Sequence, residues 1–70
     1  MGAMDATPSI GTRIKSRRLE KGWSREKLAA RALVHLNTLT LIENGDTQPS
    51  TRVLGSICQQ LGLRLTLVDD

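Results

Sequence analysis

Apolar residues recur along this chain at helical spacing as far as residue 62, and then switch to strict alternation. The densest helical pattern runs from Trp23 to Gly45. There Leu28, Ala29 and Ala32, followed by Val34, Leu39 and Ile42, are the positions that a packed pair of short helices would bury. Ser24 is a good N-cap, and Trp23 with Leu28 has the spacing of a hydrophobic staple, so the first helix of the pair is predicted from Ser24 to about Ala32. Ala29 is small enough for the second helix to cross closely. That second helix is predicted from His35 or Leu36 to Glu43, followed by the turn signal Asn44-Gly45-Asp46.

The same reading extends in both directions. Upstream, Ser9 can cap a helix whose face carries Ile10 and Ile14, continues through Arg18, and stops at Gly22. Downstream, Pro49-Ser50 opens a helix with the apolar stripe Val53, Leu54, Ile57, Cys58 and Leu61, closed by Gly62 as its C-terminal cap. The run Leu63-Arg64-Leu65-Thr66-Leu67-Val68 then alternates with period two and is rich in strand formers. A lone strand cannot satisfy its own backbone groups. It is therefore expected to pair with its twofold mate, with Leu63, Leu65 and Leu67 packed on the helices of a homodimer. The fold class that follows is all-α: a compact domain of four to five helices over residues 9–62, with a dimerisation strand and chain end over 63–70. The opening Met-Gly-Ala-Met reads as a cloning remnant, and residues 1–8 as that remnant plus an unstructured arm.

Charge sharpens this picture. At 70 residues the core is small, and a large-pocket enzyme is not expected. The formal net charge is only +3, but Arg13, Lys15, Arg17, Arg18, Lys21, Arg25, Lys27 and Arg31 crowd the first half, opposed there by Glu20 and Glu26. Such a surface suits phosphate. One cysteine excludes an internal disulfide framework, and no stretch is long and apolar enough to span a bilayer, so a cytoplasmic protein with no membrane partner is expected. Cys58 lies within an apolar stripe and reads as a core residue. His35 has no ligand set around it, so no metal and no cofactor are expected, and no catalytic residue stands out.

The run Ser-x-Glu-x-Leu-Ala-x-x-Ala, then Val, then Asn-Thr-Leu-Thr-x-Ile-Glu-Asn-Gly, resembles the lambda-repressor-like, Cro-type (XRE) helix-turn-helix DNA-binding domains over roughly residues 10–61. The resemblance implies that the helix before Gly45 enters the major groove of double-stranded DNA. Leu36, Asn37, Thr40 and Leu41 become its base-contact candidates. Asn37 can address adenine with two hydrogen bonds, Thr40 a base or a thymine methyl, and Leu36 the methyl alone. Ser24, Arg25, Lys27, His35, Asn44 and Thr47 become candidates for phosphate contact, and Arg18 with Glu43 for a structural ion pair.

Three positions depart from the family pattern. Arg17 stands where an aliphatic residue is usual, and its stem is expected to cover the core while its charge reaches outward. Arg25 replaces a frequent glutamine, which keeps a phosphate ligand but removes amide bracing of the next helix. Leu33 replaces a frequent glycine, so either the turn is strained or it takes a different shape. Leu36 and Leu41 are also unusual on a DNA-facing surface. They are explained by burial of one of them under a neighbouring helix or a dimer contact, by thymine-methyl contact, or by a protein partner.

The end of the chain, Ile-Cys-Gln-Gln-Leu-Gly-Leu followed by Arg-Leu-Thr-Leu-Val-Asp, is similar to HipB-type antitoxins, which also carry Trp at the position of Trp23. That resemblance implies a repressor of its own operon that binds an inverted-repeat operator as a dimer and a HipA-type kinase toxin as partner. A stand-alone XRE-type regulator, or a helix-turn-helix acting mainly as a toxin-binding module, fits the same residues.

Overall fold

The computed structural model describes residues 9–63, and the expectations placed on residues 1–8, on Leu65 and on Leu67 lie outside them. The described residues form four helices: α1 (Ile10–Glu20), α2 (Arg25–Ala32), α3 (Leu36–Asn44) and α4 (Thr51–Leu61). Three begin as the sequence predicts. Ser9, Ser24 and Ser50 each take extended backbone and accept a hydrogen bond from the N–H three residues on, at 3.2, 3.0 and 3.2 Å respectively. This satisfies a donor that a helix start leaves orphaned. His35, which precedes α3, makes no such side-chain bond.

All four helices close in the same manner. The N–H groups of Trp23, Val34, Asp46 and Leu63 each donate five residues back, to the carbonyls of Arg18, Ala29, Leu41 and Cys58, at 2.8 to 3.1 Å. The residue before each donor is left-handed: Gly22, Leu33, Gly45 and Gly62. Asn44 is therefore the last residue of α3 and not part of the turn, one residue beyond the predicted end.

Ile14, Leu28, Ala29, Ala32, Leu39, Ile42, Ile57 and Leu61 form the core, drawn from all four helices, with Trp23, Val34, Val53, Leu54 and Leu63 packed against it. α1 and α2 each pack on both α3 and α4. Ile10 does not join its predicted partner Ile14, being 38% exposed at the helix start. The buried face of α1 is Gly11, Ile14 and Arg18. The glycine decides how close α3 can come: a Cβ built on Gly11 would lie 2.1 Å from the Ile42 carbonyl oxygen and 3.0 Å from that of Glu43. Nothing in the spacing of apolar residues singled out Gly11. The available signal was a glycine three residues before Ile14 and seven before Arg18, on their stripe.

Cys58 is buried, as a core residue should be, and burial pushes its thiol above the ordinary range, with the Arg13 charge opposing. Ser56 ties α4 to α2 by donating to the Ala32 carbonyl at 2.6 Å. Arg17 is partly exposed, and its charge is directed to the end of α4. Its Nε donates to the Leu61 carbonyl at 3.0 Å, capping the negative end of α4, and its Nη1 meets Glu20 at 3.3 Å.

Candidate nucleic-acid interface

The site is organised by one carboxylate. Glu43, in the last turn of α3, has a fully buried side chain and accepts three hydrogen bonds from two arginines. Arg18 of α1 approaches it side-on, Nε to Oε2 at 2.8 Å and Nη2 to Oε1 at 3.2 Å, and spends its Nη1 on the Trp23 carbonyl at 2.8 Å. Arg25, the first residue of α2, adds Nε to Oε1 at 3.0 Å. A planar guanidinium fork matches a carboxylate in this way, and a lysine would not. No buried side-chain nitrogen or oxygen is left without a partner among the described residues.

The expected Arg18–Glu43 lock is present, and Arg25 strengthens it. The missing glutamine amide is replaced by an ion pair, so α2 is still tied to α3, through charge where an amide would use a neutral hydrogen bond. Arg25 is thereby held at the protein side while its side chain stays 38% exposed, with both terminal nitrogens outside this pairing.

Leu33 resolves the choice left open at the turn. It sits at φ 59°, ψ 44°, the one non-glycine residue with positive φ among those described, so the turn keeps the left-handed shape and carries the strain. Its side chain gains nothing in return from packing, being 91% exposed.

Beyond this turn α3 presents its outer side. Asn37 is exposed and Thr40 half-buried, while Leu39, Ile42 and Glu43 anchor the inner side. Leu36 and Leu41 are 39% and 44% exposed, so among the described residues neither is fully buried under a neighbouring helix. Ser24, Lys27, His35, Asn44 and Thr47 are all exposed. Ser24 Oγ receives the Lys27 N–H and keeps its own hydroxyl proton to donate. Leu63 is half-buried against the core.

Among the described residues no helix is long and apolar enough to cross a membrane, and no three His, Cys, Asp or Glu side chains converge on a point. Two consecutive helices joined by a left-handed turn, the second clamped at its C-terminal end and open along its outer side, define a helix-turn-helix domain. The chain belongs to the HTH_3 Helix-turn-helix family, an XRE-type family whose profile matches residues 14–68. It is similar to the uncharacterized HTH-type transcriptional regulator YqaF of Bacillus subtilis (strain 168), 39% identical over 54 residues that cover 77% of this chain and 71% of that protein. Among solved structures, SinR, the master regulator for biofilm formation in complex with DNA, superposes with a TM-score of 0.73 at 41% identity, over 79% of this chain and 89% of that one. The clp gene regulator ClgR of Corynebacterium glutamicum gives 0.73 at 31% identity over 77% of this chain, which spans 57% of ClgR.

Proposed function

We propose that this chain is a dimeric, sequence-specific DNA-binding transcriptional repressor in which α3 reads an inverted-repeat operator from the major groove. The observation that carries the reading is the clamp on Glu43: it holds the C-terminal end of α3 rigidly against α1 and α2 while Asn37 stays exposed. A readout helix needs this fixed pose. SinR, to which the chain is similar over most of both lengths, is a regulator whose structure was determined with DNA. Asn37 and Thr40 then specify bases, with Leu36 and Leu41 on thymine methyls, while Ser24, Arg25, Lys27, His35, Asn44 and Thr47 position the backbone.

In the finer form of the proposal, the protein is the autoregulating antitoxin of a HipA/HipB-type system, paired with a kinase toxin, dimerised through Leu63, Leu65 and Leu67, and cytoplasmic. The sequence of the chain end supports this form. The proposal assigns the protein no catalysis and no cofactor.

The test is fluorescence anisotropy against labelled DNA from upstream of its own gene and a shuffled control. Asn37→Ala is expected to cost about 1–3 kcal/mol on the native sequence and to relax preference at one base pair. Equal binding of wild type to both DNAs refutes the reading.

A second reading, a toxin-binding or other protein-interaction module, is favoured by the exposure of Leu33, Leu36 and Leu41. Association through leucines would vary little with salt, whereas phosphate binding weakens steeply.

A further inference from the structure

Three cations converge on one ring. Lys21 Nζ, Lys27 Nζ and the Arg31 guanidinium carbon lie 5.3, 5.5 and 4.8 Å from the centre of the Trp23 indole. All three are exposed. Among the described residues none of them is ion-paired: Glu20 is engaged by Arg17, and Glu43 by Arg18 and Arg25. The three charges are thus confined within about one Debye length of each other at 0.1 M salt, roughly 10 Å, where their mutual repulsion is poorly screened. Each gains from the ring face, but the concentration of uncompensated positive charge is the dominant feature. It is also held in place. Arg18 grips the Trp23 backbone from both sides, its Nη1 donating to the Trp23 carbonyl at 2.8 Å and its own carbonyl accepting the Trp23 N–H at 3.1 Å. The next residue, Ser24, caps α2, whose N-terminal end adds to the positive potential.

We propose that Lys21, Lys27 and Arg31, organised on Trp23, form a clasp for the phosphodiester backbone of duplex DNA. It extends the contact beyond the α2 N-terminus and reads no bases. Duplex DNA is the occupant the surface fits, because the clasp adjoins Ser24 and Arg25 on the helix that precedes the readout helix. A phosphate run held at that end of α2 continues past the indole. The inference rests on the DNA-binding reading and adds Lys21, Arg31 and Trp23 to it.

Trp23 is the only tryptophan, and the chain has no tyrosine or phenylalanine, so its emission reports on the clasp alone. The experiment compares wild type with the double variant Lys21→Gln, Arg31→Gln on native and shuffled duplexes, following Trp23 emission and the dependence of affinity on salt. The substitutions are on the surface and relieve like-charge repulsion, and circular dichroism verifies the fold. Trp23 emission is expected to change when wild type binds either duplex. The double variant should lose most of that change, and the slope of log affinity against log salt should fall by about 1 or more, at roughly 0.9 per phosphate released. Preference for native over shuffled DNA should survive.

An unchanged slope and unchanged emission response in a variant that still prefers native DNA overturn the clasp and leave the proposed function standing. A reduced slope with no preference in wild type upholds the clasp and overturns sequence-specific readout. Absence of binding to either duplex overturns both.

Discussion

Replacing Gly11 by alanine sets two physical effects of opposite sign against each other. In an exposed helix interior this change is favourable by up to about 1 kcal/mol, because glycine loses more backbone freedom on folding and packs nothing. Here the new Cβ would stand 2.1 Å from the Ile42 carbonyl oxygen, with the Glu43 carbonyl oxygen at 3.0 Å and its carbonyl carbon at 3.2 Å. All three are backbone atoms, so no rotamer change relieves the clash. α1 and α3 must separate by about 1 Å to restore ordinary contact, and overpacking of this kind costs about 1–3 kcal/mol. The upper end applies, since the separation also stretches the Arg18 to Glu43 hydrogen bonds, now 2.8 and 3.2 Å. The net expectation is a loss of about 2 kcal/mol, which in a domain of this size lowers Tm by about 8–16 °C. Urea unfolding followed by Trp23 emission and by circular dichroism measures it. Gly11→Ser adds the same Cβ and should lose a similar amount. A Gly11→Ala protein as stable as the parent, or more so, would show that α1 and α3 do not meet at this distance and would refute the reasoning.

Two further substitutions probe the clamp and the turn. Glu43→Gln leaves Arg18, 5% exposed, without its counter-charge, and should destabilise by about 3–5 kcal/mol in urea melts; Arg25→Ala, at a partly exposed pair, should cost about 1 kcal/mol or less. A similar loss for the two would contradict the placement of the buried charge. Leu33→Gly removes the left-handed penalty on a side chain that packs against nothing, and thermal melts should show a gain of about 1 kcal/mol. A loss would mean that the Leu33 side chain is covered in the assembled protein, which would strengthen the protein-interaction reading.

The sequence alone determined the four helices and most of their ends, because those depend on local chemistry. A serine before each of three apolar stripes meets orphaned N–H groups, and Gly22, Gly45 and Gly62 supply the left-handed closures. The core residues from Ile14 to Leu61 were legible for the same reason, since helical period alone sorts inside from outside. The Arg18–Glu43 pair was reached through resemblance to a family, because a separation of 25 residues leaves no periodic trace.

Only the tertiary structure decided the rest. It turned Arg25 onto Glu43, sent Arg17 to the end of α4, left Leu36 and Leu41 partly exposed among the described residues, and gathered Lys21, Lys27 and Arg31 on Trp23. It also made Gly11 the point of closest approach to α3. Each of these depends on where a long side chain finds its partner, or on how far apart two helix axes lie. Those quantities are set by packing across the chain, which neither composition nor period encodes.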